Sequence, residues 1–173
     1  MKRLVLLSTL AVLAFPASAA ASATHVVDLA SGRLDGQVIF GHTVAGVTAA
    51  LGRPDFRSGP RGVYRIGWGT RPNFSLEVIF RPIGGVERAW SIVFERGPAR
   101  DVKLGDLLGR SPRALQSAVR SRYADTFTLL RPYGCKAGRC GGEFVARSGS
   151  IHLTFGTQRT LGTWVTVWEA PAA

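Results

Sequence analysis

The chain has 173 residues and a formal net charge of +11, from 22 Lys and Arg against 11 Asp and Glu. That length suits one domain or two small units sharing a core. With 46% hydrophobic and 19% charged residues, a disordered polyelectrolyte is excluded. Two cysteines are too few for a four-cysteine zinc site or a disulfide-dense miniprotein.

Met1-Lys2-Arg3, the apolar run Leu4 to Phe15, Pro16 and the small-residue tract Ala17 to Ala23 have the n-, h- and c-regions of a secretory signal. The run of 12 residues is short of the about 20 that a spanning helix needs. Residues 1–23 are therefore expected to be a signal peptide cut near Ala19 to Ala23, the protein to be secreted or extracytoplasmic, and no membrane span to follow. Loss of Lys2 and Arg3 would lower the net charge by two.

From Gly41 to Pro54, apolar residues at 44, 47 and 51 mark one face of a short helix. Thr43 is placed to cap its start, Gly52 to end it, and Pro54 forbids continuation. Three strands are then expected. Tyr64, Ile66 and Trp68 share a face in the first. In the second, Phe74, Leu76, Val78 and Phe80 alternate with outward Ser75, Glu77, Ile79 and Arg81. Trp90, Ile92 and Phe94 group together in the third, after a turn at Pro82-Ile83-Gly84-Gly85.

Ser111 followed by Pro112 opens a second helix, with Leu115, Ala118, Val119 and Tyr123 on its apolar side. Three more strands follow, from Glu143 to Arg147, Ser150 to Phe155 and Thr163 to Trp168. A Ser148-Gly149 turn separates the first two. The order repeats that of the first half, with Phe80 falling on Phe155, Trp90 on Trp164 and Phe94 on Trp168. The expected fold is α+β, with two tandem units, each a short helix packed on a three- to four-stranded antiparallel sheet, over residues 24–99 and 100–173.

The stretch G-x-T-x-x-x-V-x-x-x-L-G-x-P from Gly41 to Pro54, ahead of three strands ending in an aromatic-rich one, resembles the SmpA/OmlA domain. That domain occurs in the small lipoprotein of the outer-membrane β-barrel assembly machine. Two such units on a secreted chain with a disulfide-closed loop are similar to the β-lactamase inhibitory protein fold. The resemblance covers residues 38–96 and, more loosely, Gly109 to Arg122. It implies a helix-plus-sheet architecture, and by analogy a secreted inhibitor of an enzyme.

Cys135 and Cys140 are separated by four residues among glycines, a spacing that a turn can close into a disulfide in an oxidising compartment. Tyr133 beside that loop, with Lys136 and Arg139 next to the cysteines, forms the candidate binding site. Of Trp68, Trp90, Trp164 and Trp168, at least three fall in phase with the apolar face of a strand, and packing in the core or between sheets is expected; on an open sheet face they become binding hot spots. Catalysis finds no motif. His25, His42 and His152 form no H-x-x-x-H, and Ser150, His152 and Asp125 make a Ser–His–Asp set only on paper. No metal, no cofactor and no enzymatic activity are expected. The 19 arginines and three lysines are dispersed without interleaved stacking aromatics, which argues against nucleic acid. The leading reading is an exported binding module for an extracytoplasmic protein. The alternatives are an enzyme inhibitor, a cationic binder of anionic wall polymer or glycan, and a hydrolase without a recognisable motif.

Overall fold

In the computed structural model, residues 24–59, 64–69, 76–137, 139–158 and 162–170 are described. The expected signal peptide, Val63, Phe74 and Ser75 lie outside them.

Both helices begin where their caps dictate. The Thr43 hydroxyl accepts from the Gly46 N–H at 3.2 Å and starts α1 (Val44–Leu51), which Gly52 ends at a φ of 83°. The Ser111 hydroxyl accepts from the Ala114 N–H at 3.3 Å and starts α2 (Pro112–Arg122). Neither is long enough to dominate the fold, because 54% of the described residues are strand and only 14% helix.

The strands form two sheets. The smaller contains β1 (His25–Asp28), β2 (Arg33–Leu34), β7 (Ala99–Asp101) and β8 (Gly105–Asp106), in the order β2-β1-β7-β8, with β1 and β7 parallel. The larger contains β3 (Phe56–Ser58), β4 (Tyr64–Trp68), β5 (Leu76–Ile83), β6 (Val86–Phe94), β9 (Phe127–Lys136), β10 (Arg139–Ala146), β11 (Ile151–Gln158) and β12 (Gly162–Glu169). Its order is β3-β4-β5-β6-β12-β11-β10-β9.

This corrects the expected α+β arrangement of tandem helix-on-sheet units: the described residues are mainly β, with sheets of four and eight strands and two helices. The reason lies in β6 and β12. Both are rich in β-branched and aromatic residues, and as open edges each would expose an unpaired apolar strand. They pair with each other instead, Phe94 opposite Val165 and Ile92 opposite Val167, and fuse the strands into one sheet.

One face of that sheet forms the core. Ile66, Val78, Phe80, Ile92, Phe94, Leu153, Phe155, Val165 and Val167 are fully buried there, in one cluster with Val47 of α1, Leu115 and Val119 of α2, and Val27, Leu29 and Leu34 of the smaller sheet. Phe155 stacks on Phe144 at 5.8 Å between ring centres. Truncating such a side chain typically costs about 3–5 kcal/mol. A second anchor is polar: the buried Asp101 carboxylate accepts from the N–H groups of Leu29, Lys103 and Leu104 and from the Tyr123 hydroxyl. It ties the turn after β1, the β7–β8 turn and the end of α2 together. Among the described residues no helix is long and apolar enough to cross a membrane.

Candidate binding face and hairpin cavity

The face of the large sheet opposite the core carries the other half of each alternation. On β12, Val165 and Val167 are fully buried in the core, so Trp164 and Trp168 project from the outer face. A bulge delivers Trp90 to the same side: Ile79 pairs with Ser91 but Phe80 pairs with Ala89, which leaves Trp90 as the extra residue. The expectation that these tryptophans pack in the core is thus corrected for Trp90, Trp164 and Trp168. Trp68 does pack against the core, as do its strand neighbours Tyr64 and Ile66. The correspondence of Phe94 with Trp168 joins a buried core residue to one on the outer face.

These side chains form one string across six neighbouring strands. The Arg81 guanidinium of β5 lies 5.3 Å from the ring centre of Trp90 on β6. Trp90 meets Trp168 of β12 edge to face at 6.0 Å. The His152 ring of β11 stacks on Trp168 at 3.9 Å. His152 Nδ1 is 3.0 Å from Glu143 Oε1 on β10, and Glu143 Oε2 is 3.8 Å from the Arg131 guanidinium on β9. Each aromatic contact contributes about 0.5–1.5 kcal/mol beyond burial, and the exposed ion pair at the end about 0–1 kcal/mol. The string is therefore held in place by its own contacts. Beside it, Glu77 is nearly buried and pairs with Arg65 at 3.2 Å. Burial pushes the Glu95 carboxyl above its ordinary value of 4.5, against the pull of Arg65 and Arg96.

At the far end of β9 and β10 lies the cysteine pair. Cys135 and Cys140 are directly opposite in the register and joined by a disulfide, with Cα atoms 4.0 Å apart. The expected loop is the tip of a β-hairpin, and an oxidising environment is compatible with it. Next to the disulfide opens a cavity of about 680 Å³, walled by Arg131, Lys136, Arg139 and Pro132 and closed on one side by Trp164. Trp164 fits there because the residues aligned with it on the next two strands are Gly156 and Gly141. A Cβ at Gly156 would come within 2.7 Å of the indole and collide with the Cys140 carbonyl oxygen.

Of the sequence-derived candidates, Lys136 and Arg139 are exposed, opposite each other, and border the cavity. Tyr133 faces the other way. Its ring stacks on Phe155, its hydroxyl is 3.2 Å from Thr157 Oγ1, its N–H donates to Gln116 Oε1 at 2.6 Å, and Arg113 sits 5.9 Å from the ring centre. The tyrosine thus secures the hairpin to α2 and the core. The paper triad is not assembled: the Ser150 hydroxyl pairs with Ser148 at 2.8 Å, while His152 is turned to Glu143. His25 pairs with Asp35 at 2.9 Å. Among the described residues, no group of three His, Cys, Asp or Glu is placed to hold a metal ion.

Sequence reasoning missed that Arg81, Glu143 and Arg131 join the tryptophans and His152 in one string, since each comes from a different strand. No family model, curated protein or solved structure matches the chain.

Proposed function

We propose that this protein is a non-enzymatic binding module that works outside the cytoplasm. It grips an acidic protein partner with the outer face of its eight-stranded sheet and with the Cys135–Cys140 hairpin. The observation that carries this reading is the string from Arg81 through Trp90, Trp168, His152 and Glu143 to Arg131. It sets two half-buried tryptophans and a histidine between two arginines. Tryptophan and arginine are the residues most enriched at binding hot spots, and a face already fixed by its own contacts loses little entropy when it docks. A net charge of +9 without residues 1–23, the full chain's +11 less Lys2 and Arg3, favours a partner of opposite sign. The extracytoplasmic site rests on the signal-like residues 1–23 together with the disulfide.

The test is retention of proteins from envelope and culture-medium fractions on the immobilised chain, beside its Trp168→Ala and Arg81→Glu variants. A partner held by the unaltered protein should bind about 30-fold more weakly to Trp168→Ala, the loss typical of a hot spot. Arg81→Glu leaves the core untouched and should weaken it as well. Failure to retain any specific protein, or retention indifferent to both substitutions, overturns the proposal.

A further inference from the structure

We infer that the cavity beside the disulfide is the pocket in which the partner inserts an acidic peptide segment, with Asp or Glu side chains next to a flat apolar one. This rests on the protein-binding reading of the outer face and adds to it a defined pocket and a ligand chemistry.

The walls decide the chemistry. Arg131, Lys136 and Arg139 line the opening, and among the described residues no carboxylate does. Arg131 has a counter-ion in Glu143, but at 3.8 Å, and Glu143 is shared with His152 at 3.0 Å. The positive charge of the cavity is thus left mostly uncompensated, and carboxylates are its complement. The other lining residues carry no charge: Trp164, Pro132, Ala137, the two cysteines and two glycines. A volume of about 680 Å³ takes a few side chains rather than a domain.

The cavity is also built, and not merely left over between side chains. The indole lies where it does because positions 141 and 156 carry no Cβ, and a methyl at 156 would meet both the indole and the Cys140 carbonyl. The disulfide and the Lys136–Arg139 pairing fix the backbone that carries the two exposed cationic side chains. Its placement identifies the occupant as part of a protein. Arg131 is at once the last residue of the aromatic string and a wall of the cavity. A partner lying along the string therefore reaches the pocket without a break in the interface.

The probe is the octapeptide (Glu-Tyr)4, titrated into the full chain by calorimetry and by NMR of the tryptophan indole N–H groups, with Trp164→Phe identifying the relevant signal. Binding should move the Trp164 signal. The neutral (Gln-Tyr)4 should bind at least tenfold more weakly, as should the octapeptide to a Lys136→Glu/Arg139→Glu variant. Arg100→Glu/Arg120→Glu, with the same change of net charge on other surfaces, should leave the affinity within about twofold. Equal affinity for the neutral peptide, equal loss in both charge-reversed variants, a Trp164 signal that stays put, or no binding at millimolar peptide overturns the inference. Tighter binding of trigalacturonate than of the peptide at Trp164 overturns it in favour of an acidic glycan. The two readings separate on partner retention. If retention survives Lys136→Glu/Arg139→Glu but not Arg81→Glu, the cavity proposal fails and the face stands; if it survives both, both fail.

Discussion

Asp101→Asn isolates the polar anchor of the fold. The carboxylate is 3% exposed. One oxygen accepts from Lys103 N–H at 2.9 Å and Leu104 N–H at 2.7 Å, the other from Leu29 N–H at 3.2 Å and the Tyr123 hydroxyl at 2.8 Å. An asparagine keeps the shape but only one of the two oxygens; with its amide group on the Leu29 and Tyr123 side, the Leu29 N–H loses its acceptor and the Tyr123 hydroxyl has to turn and accept instead of donate. At roughly 1–3 kcal/mol for the orphaned N–H and about 1 kcal/mol for the weakened hydroxyl contact, the loss is about 3 kcal/mol. That is a large fraction of a typical domain stability of about 5–15 kcal/mol, and lowers Tm by about 10 °C. Tyr123→Phe removes one donor and leaves the carboxylate its other three, so it should cost about 1–2 kcal/mol. The double variant should cost less than the sum, since the tyrosine hydroxyl is no longer there to be turned round. Urea unfolding followed by circular dichroism and by tryptophan fluorescence measures all three, read as a shift in midpoint at constant slope. If Asp101→Asn stays within about 1 kcal/mol of the parent, or the double variant is strictly additive, the anchor is not what holds these segments together.

Burial, the hydrogen bond to Asp101 and the charges of Asp101 and Asp28 hold the Tyr123 phenol above its ordinary value of 10.0. Above that pH the unfolded chain releases a proton that the folded one keeps, so the stability present below pH 10 declines as pH rises. Tyr123→Phe lacks this slope, and its unfolding free energy should approach that of the parent by about 1.4 kcal/mol per pH unit; parallel curves would rule the linkage out. Cys135→Ser/Cys140→Ser opens a short loop and should lower stability by about 2 kcal/mol by urea unfolding, while the far-ultraviolet spectrum is unchanged. A loss above about 4 kcal/mol would mean that the hairpin depends on the bond for its register. Gly156→Ala should displace Trp164, seen as a changed near-ultraviolet spectrum, and cost about 1–3 kcal/mol. An unaltered spectrum would show that the indole does not lie over that glycine.

What was legible in the chain was local. The caps at Thr43 and Ser111 are decided within three residues, and both helices begin where those side chains place them. The inward residues of β4, β5 and β11 were readable because polar or glycine positions alternate with Ile66, Val78, Leu153 and Phe155. The cysteine spacing, together with the export signal, pointed to the disulfide. What was not legible depended on distant pairing. β9 carries Arg131, Pro132 and Gly134, so no alternation betrays a strand, and its place is set by β10. The smaller sheet is built from strands of two to four residues, too short for any periodicity. The fusion of the large sheet through β6 and β12 joins Phe94 to Val165, a contact no local pattern encodes.

The tryptophans show why the candidate face was the hardest part to read. Along Trp164-Val165-Thr166-Val167-Trp168, valines alternate with large aromatics, so a period of two fits an inward face on either phase. The structure resolves it by volume. The core between sheet and helices already holds Phe80, Phe94, Phe144 and Phe155, and valines fill what space remains at β12, which pushes the indoles to the other side. On β6 the same outcome needs a bulge, which shifts Trp90 out of phase with Ile92 and Phe94. A sheet that had only to be soluble would carry residues such as Thr154 and Thr166 across its whole outer face. This one spends two strands' geometry to bring Trp90 against Trp168 and then adds His152, Glu143 and an arginine at each end. Each of the six residues sits on a separate strand and supports its neighbours chiefly through the string itself. A role in contact with another molecule accounts for that construction better than packing does, because the core is complete without it.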